Sequence, residues 1–330
     1  MKLSEPNKRV LKKLWKNKLT VVSASYIFLC IIIAVFAYQI IPDKTKNANT
    51  QNIEIAIKKP GFRVDMLIID SVVHIPLSEY KKSNDTLYYT SYDGDKGFTT
   101  STNYKIEKKK YIFGTDKFGR DVFSRLILGT RISLSIGIIA VVLSLLIGVF
   151  FGSLAGYFRG RVDSVIMWLI NVVWSIPSVL LVIAISFALG RGFWQVFVAV
   201  GLSLWVDVAR LVRGQVISIK EQEYIDSAKT LGFKTSRIIM KHILPNLIGP
   251  LLVISASNFA SAILLEAGLS FLGIGVQPPM ASWGTMIKES YAYLILGDPY
   301  LSILPGIAIV LMVLAFMLLG NGLRDALDVK

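Results

Sequence analysis

The sequence predicts an all-α polytopic membrane protein with six transmembrane helices and a small β-containing insert outside the membrane. Hydrophobic residues make up 53% of the 330 residues and charged residues only 18%. Soluble domains contain about 45–50% apolar residues even when glycine is included. The charged residues also cluster between long uncharged runs, and six of these runs approach the length that a membrane helix needs. A helix that crosses the bilayer takes about 20 apolar residues.

The first predicted span, 20–41, follows a strongly basic N-terminus, 1–19. Its first eighteen residues carry seven Lys or Arg residues and one acid, Glu5, which is typical of an uncleaved signal anchor. Because basic residues are enriched on the cytoplasmic side, we expect residues 1–19 to be cytoplasmic. Six crossings return the C-terminus, 322–330, to the same side. The other predicted spans are 133–157, 164–189, 195–213, 247–268 and 300–320.

The segment 42–110 is polar and is predicted to form the extracytoplasmic insert. Its strand-like stretches are 52–57, 64–69 and 86–90. Pro60-Gly61 and Asp93-Gly94 provide turn signals between strands. Two interpretations remain open: a surface for an extracytoplasmic partner, or an elaboration specific to one lineage.

The remainder, 111–321, is predicted to be a core of five closely packed membrane helices. Gly148, Gly152 and Gly156 recur every four residues, which lets a second helix backbone approach one face. Pro177 lies inside the third span and is expected to kink it.

Polar groups inside the predicted spans are candidates for a translocation pathway, because a charge at the bilayer centre is costly. The candidate pathway residues are Asp207, Asn258 and Glu266. Asp207 has a second interpretation, a structural pair with Arg210 three residues later. Glu266 also has a second interpretation, in which it simply lies at the outer membrane interface. Asn258 belongs to a polar stripe that lines a path or binds neighbouring helices.

The loop 214–246 is unusually long and is predicted to lie inside the cell, because it carries five Lys or Arg residues against one in the outer segment 269–299. Acids at its start and Gly232 after Leu231 predict a short helix with a favourable dipole and a glycine stop. A second amphipathic piece leads to Pro245. We interpret the loop as a docking element; an ordinary interfacial helix–turn–helix is the alternative.

Part of this loop resembles the EAA loop of ABC importer permeases, the coupling helix that fits a groove on the ATPase. The match consists of Asp226-Ser227-Ala228, Gly232 and Leu244-Pro245. Asp226 stands where the family usually has Glu, Ser227 where it has Ala, and His242 where the pattern has Ile. The residues that the resemblance assigns to ATPase coupling are Glu223, Tyr224, Asp226, Ser227, Ala228, Gly232, His242, Leu244 and Pro245.

Three further stretches resemble the "C"-type subunit of dipeptide/oligopeptide permeases: 113–134, 268–284 and 322–328. Within the first stretch, we interpret the charged residues as an outer element at the interface with solvent that contacts a binding protein or a partner permease. Packing that stabilises the start of the second helix is the alternative. The residues of this outer motif are Gly114, Asp116, Gly119, Arg120 and Asp121.

The resemblance implies the type I ABC importer permease fold and a multi-pass subunit of the bacterial cytoplasmic (inner) membrane, embedded in lipid. Its implied partners are a homologous permease, two cytoplasmic ABC ATPases and an extracytoplasmic substrate-binding protein. Peptides are the leading substrate, with nickel, opines or antimicrobial peptides as alternatives among related systems. An ion-coupled secondary transporter is the alternative from another class, although no duplicated halves are evident.

No catalytic residue, metal site or cofactor is expected in this chain. A phosphate-binding Gly-x4-Gly-Lys-Ser/Thr loop is absent from the sequence, so ATP and Mg are expected in the partner subunits. One cysteine and two distant histidines, His74 and His242, argue against a zinc cluster and an intramembrane protease. The formal charge of +14 is read as a topology signal rather than as a nucleic-acid surface.

Overall fold

A computed structural model describes residues 12–70, 73–83, 86–100, 103–190 and 192–327. The outermost parts of both predicted cytoplasmic termini, 1–11 and 328–330, lie outside the described residues. The chain divides into two compact units. The bundle unit comprises Met1–Ile32, Ile132–Gln277 and Ile307–Lys330, and the sheet unit comprises Ile33–Arg131 and Pro278–Gly306.

Helices dominate the described chain. They are α1 Lys18–Val35, α2 Ala37–Ile40, α3 Val122–Phe158, α4 Gly160–Trp174, α5 Ser178–Leu189, α6 Phe193–Lys220, α7 Glu223–Thr230, α8 Thr235–Ile238, α9 Ile248–Leu272, α10 Trp283–Ser290, α11 Tyr293–Leu296 and α12 Tyr300–Leu327. Among the described residues, five helices are long and apolar enough to cross a membrane, and the bent pair α4–α5 brings the total to six if it is one span. The predicted fold class is therefore confirmed.

The third predicted span, 164–189, is broken rather than merely kinked. The helices α4 and α5 meet at an angle of 94°. Pro177 precedes the first residue of α5 and has no backbone N–H, so it cannot continue the hydrogen-bond ladder of α4. Hydropathy alone does not reveal this break, because both halves are apolar.

Within the bundle unit, α3 and α6 approach each other closely. A Cβ built on Gly148 would lie 2.5 Å from the Cβ of Val208, and one on Gly152 would lie 2.5 Å from the carbonyl oxygen of Ala209. Gly156 meets Arg213 and Val216 one turn further on. The packing role predicted for these glycines is confirmed, because a side chain at any of the three positions would push the helices apart.

The sheet unit contains a five-stranded antiparallel sheet in the order β4-β3-β2-β1-β5. Its strands are β1 Phe62–Ile69, β2 Val73–Ser83, β3 Thr86–Ser91, β4 Lys96–Thr99 and β5 Tyr104–Tyr111. One apolar cluster contains Leu67, Leu77 and Leu87. The predicted strand at 52–57 is wrong: Ile53–Ile55 forms a 3-10 turn whose Ile55 is fully buried, in contact with Val64 and Met66.

Candidate functional site

The predicted coupling loop contains α7, which is well formed for its eight residues. Glu223 and Asp226 lie in its first turn and Lys229 in its last, which suits the helix dipole. Gly232 ends the helix with a φ of +73°. Its N–H donates to the carbonyl of Lys229 at 2.9 Å, and the N–H of Phe233 donates to that of Ala228 at 3.1 Å. This pair of bonds is the Schellman pattern, which favours glycine at this position.

One face of α7 is anchored to the bundle unit. Ile225 and Ala228 are 0% and 4% exposed and pack in a cluster with Val212 and Val216 of α6. Ala228, predicted to contact an ATPase, therefore faces the bundle unit. The exposed side carries Glu223, Tyr224, Asp226 and Ser227.

The second half of the loop folds against α7. A π-helical turn, Ile239–Ile243, and a 3-10 turn, Leu244–Leu247, connect α8 to α9. The half-buried His242 stacks on Phe233 with ring centroids 6.0 Å apart. Asn246 donates to the hydroxyl of Tyr224 at 3.3 Å and to the carbonyl of His242 at 2.6 Å.

The remaining predicted coupling residues differ in exposure. Leu244 packs against the buried cluster that contains Ile225, and Pro245 is exposed. The loop is thus an ordered element with one anchored and one open face.

The break in the third span borders a cavity of about 440 Å³ within the bundle unit. Side chains from α4, the break, α5, α6 and α9 line it, and they include Trp174, Pro177, Ser178, Ser203, Asp207 and Ser261. Asp207 is exposed although it lies in the middle of α6. Of the three predicted pathway residues, it is the one at this cavity.

Arg210 does not form the alternative ion pair with Asp207. Its Nη2 donates to Oδ1 of Asn171 at 2.9 Å. Its guanidinium also lies 3.9 Å from the ring centroid of Trp174. Within the part of the chain that the structure describes, no ion pair joins Asp207 to a basic residue. The aromatic and amide groups of α4 attract Arg210 instead.

Asn258 and Glu266 are buried between helices. Asn258 Nδ2 lies 3.4 Å from the carbonyl oxygen of Leu204 and 3.5 Å from Oγ of Ser144, so it bridges α9 to α6 and α3. Glu266 is 1% exposed and accepts a hydrogen bond from Ser270 at 2.7 Å. The alternative position of Glu266 at the outer membrane interface stays a prediction; α9 continues beyond this residue to Leu272.

The outer motif forms a buried ionic network in the sheet unit. Asp116 accepts hydrogen bonds from the N–H groups of Phe118 and Arg120 at 2.9 and 3.0 Å, and from Nε of Arg120 at 2.6 Å. Arg120 and Arg125 both donate to Oε2 of Glu289 on α10, at 2.5 and 3.3 Å. The two arginine side chains are 3% and 1% exposed.

Asp121 and the two glycines complete the buried motif. Asp121 accepts hydrogen bonds from the N–H and hydroxyl of Ser124, and burial raises the pKa of its carboxyl. A Cβ on Gly114 would collide with the carbonyl of Lys58, and one on Gly119 with that of Asn52.

The predicted solvent-facing position of the outer motif is wrong, because its charges neutralise one another inside the fold. The packing alternative accounts for the geometry. Sequence reasoning missed Glu289, which lies 169 residues from Arg120 along the chain and has no local signal that pairs it with this motif. Trp283 of α10 is 2% exposed and donates its indole N–H to the carbonyl of Leu126 at 3.1 Å.

The family of binding-protein-dependent transport system inner membrane components matches residues 148–330. This chain belongs to that family. The match includes α6, the predicted coupling loop, α9 and α12. The predicted family resemblance is thereby confirmed, and the matched region includes both the loop and the motif at 268–284.

Curated relatives of this permease are named for peptide transport. The oligopeptide transport system permease protein OppC of Bacillus subtilis (strain 168) is 44% identical over 226 residues, which are 68% of this chain and 74% of the relative. The dipeptide permease protein DppC of the same strain is 45% identical over 66% of this chain and 68% of its own length. The glutathione permease protein GsiD of Pectobacterium atrosepticum is 41% identical over 74% of this chain and 80% of its own length.

A solved structure supports the fold of the permease. A chain of the MetNI methionine ABC transporter in an inward-facing conformation aligns with a TM-score of 0.52. The alignment covers 62% of this permease and 97% of that chain at 17% identity. At this identity the likeness concerns the fold alone.

Proposed function

We propose that this permease is one of two homologous membrane subunits of an ATP-driven importer of di- and oligopeptides. The observation that carries the substrate class is the 44–45% identity to permeases named for oligopeptide and dipeptide transport. Membership of a binding-protein-dependent family supports an extracytoplasmic binding protein that delivers the peptide. Two cytoplasmic ATPases that bind ATP and Mg supply the energy.

The exposed side of α7 is the proposed contact with an ATPase. Glu223, Tyr224, Asp226 and Ser227 offer polar groups on a short helix that Ile225 and Ala228 fasten to the bundle unit. A force applied to this helix is therefore transmitted to α6 through packed side chains. ATP binding that closes the ATPases would thus shift the population between inward- and outward-open states.

The transport function is tested by uptake of a radiolabelled dipeptide in cells that lack this subunit. We expect uptake to return when the wild-type chain is expressed and to stay absent when residues 226–231 are deleted. Co-purification with the partner permease reports whether the deletion variant still inserts and assembles. ATP-independent, proton-driven uptake by the purified chain alone would overturn the proposal and favour a secondary transporter.

We also propose that both termini and residues 214–246 face the cytoplasm and that the sheet of 62–111 lies outside. The charge distribution of the short loops supports this orientation. Cys30 is the one cysteine in the sequence and is buried, so single-cysteine labelling is straightforward in a Cys30→Ala background. Ser78→Cys should react with an impermeant maleimide in intact cells, and Ser236→Cys, which is exposed in the loop 214–246, only after permeabilisation. The reverse pattern would contradict the orientation.

A further inference from the structure

The cavity beside the broken span contains one ionisable side chain among its described lining residues, that of Asp207. A carboxylate in a membrane-spanning helix needs water, a cation or a partner group, because lipid does not solvate it. Asp207 is exposed within this chain. It therefore faces a space that something polar must fill.

The nearest basic group on α6 is already bound elsewhere. Arg210 contacts Asn171 through a hydrogen bond of 2.9 Å and Trp174 through its guanidinium face. Both of these partners lie on α4, so Arg210 is held towards that helix. Arg210 acts on Asp207 electrostatically, but its hydrogen bond goes to Asn171, so the carboxylate of Asp207 remains open to a cationic group in the cavity.

The remainder of the cavity wall suits a short peptide. The hydroxyls of Ser178 and Ser261 supply hydrogen-bonding groups, and Leu181, Leu264 and Leu265 supply apolar surface. Its volume of about 440 Å³ falls within the roughly 300–1,000 Å³ of small-ligand pockets. One charged group, a few hydroxyls and apolar walls form a weak site that also permits release.

We propose that this cavity is a cation-selecting subsite of the transport pathway, in which Asp207 receives the ammonium group of the peptide N-terminus. The peptide part of this inference rests on the proposed function. The selection of cations does not, because it follows from the exposed carboxylate of Asp207, the one ionisable group among the described residues that line the cavity. The two parts are therefore tested separately.

The first test measures the charge preference of the cavity without any substrate. Ser261→Cys in a Cys30→Ala background is labelled in the assembled transporter with a cationic and an anionic methanethiosulfonate reagent. We expect the ratio of cationic to anionic rates to fall about fivefold or more when Asp207→Asn is added. Ser78→Cys, at an exposed position of β2 away from the cavity, is the control and its ratio should not change. An unchanged ratio at Ser261→Cys would overturn the subsite.

The second test measures equilibrium binding of alanyl-phenylalanine and its N-acetyl derivative to the purified transporter without binding protein. Wild type should prefer the free amine about tenfold, or about 1.4 kcal/mol. Asp207→Asn should lose this preference, Asp207→Glu should retain part of it, and the exposed variant Asp95→Asn should match wild type. Equal binding of the two peptides by wild type, or a preference that survives in Asp207→Asn, would refute the ammonium assignment.

The proposed function fails in a different way. If cells that contain all subunits do not take up peptides, the peptide assignment is wrong, whereas the labelling ratio at Ser261→Cys still decides whether the cavity selects cations. Normal uptake with an unchanged labelling ratio would overturn the subsite alone.

Discussion

Two charged motifs of this permease have similar spacing and opposite surroundings. In the sheet unit, Asp116 and Arg120 are four residues apart, and their side chains are 10% and 3% exposed. In the coupling loop, Asp226 and Lys229 are three residues apart, and their side chains are 66% and 38% exposed. The first pair belongs to a network with Arg125 and Glu289, whereas the second stands in solvent.

The difference in side-chain exposure indicates different roles for the two motifs. Exposed ion pairs contribute about 0–1 kcal/mol, so the charges of α7 add little stability and are available to a partner. A buried network gains little over apolar packing, but removing one member leaves an uncompensated charge. The outer motif is thus sensitive to the loss of any one of its charges, and the predicted coupling loop exposes its charges to solvent.

The largest effect should come from Glu289→Gln, which removes the carboxylate shared by Arg120 and Arg125. Breaking a buried pair typically costs about 3–5 kcal/mol. We expect a clear drop in the thermal unfolding temperature of the purified, detergent-solubilised protein. Asp226→Asn is the matched control and should unfold close to wild type. An equal drop in unfolding temperature in the two variants would contradict the distinction between the buried network and the exposed ion pair.

Alanine at two glycines of positive φ should give the next largest contrast. Gly119 and Gly232 have φ values of +70° and +73°, so both variants carry a backbone strain of about 1–2 kcal/mol. A methyl at Gly119 would also collide with the carbonyl of Asn52, whereas Gly232 has open space around it. Thermal unfolding should therefore show Gly119→Ala to be the less stable variant. If Gly232→Ala is as unstable, the open side of the loop is packed after all.

Features that depend on neighbouring residues along the chain could be predicted from the sequence. Hydropathy located the membrane helices because lipid requires long apolar runs, and the glycine spacing located the contact of α3 with α6. Both signals are local. Leu231-Gly232 likewise predicted the end of α7, because the glycine stop depends on adjacent residues alone.

Contacts between residues far apart in the sequence could not be predicted from local sequence patterns. Arg125 and Glu289 are 164 residues apart, so nothing near Arg125 indicates that it is buried. Arg210 has Asp207 as its nearest acid along the chain, yet Asn171 and Trp174 of another helix bind it. The stretch at 52–57 has strand-like alternation but takes a 3-10 turn, because Ile55 packs on one face of the sheet.

A third variant, Asp226→Lys, separates function from stability in the coupling loop. It breaks the exposed ion pair with Lys229, so we expect the unfolding temperature to change little, by the equivalent of at most about 1 kcal/mol. Dipeptide uptake should nevertheless fall about tenfold or more, because the charge on the proposed ATPase contact is reversed. Lys81→Glu, an exposed reversal on β2, serves as the control. Normal uptake by Asp226→Lys would remove Asp226 from the contact.

The smallest effect should be a pH dependence that arises within the sheet unit. Burial raises the pKa of Asp121, and hydrogen bonds from Ser124 only partly offset it. Burial also acts to raise the pKa of Asp43, but hydrogen bonds from Thr45 and Thr50 outweigh it and lower the pKa below its ordinary value of 3.8. A carboxyl with a raised pKa contributes stability at low pH that is lost as pH rises through that pKa. One with a lowered pKa contributes stability above 3.8 that is lost as pH falls.

Acidification from pH 7 should therefore move the two variants in opposite directions relative to wild type. The stability advantage of wild type over Asp121→Asn should grow as pH falls, because only wild type can protonate this buried group. The advantage over Asp43→Asn should shrink below about pH 4, where wild type loses the charge that Thr45 and Thr50 stabilise. Unfolding temperatures measured across this range check both signs. Parallel curves for the two variants would contradict the opposite pKa shifts of Asp43 and Asp121.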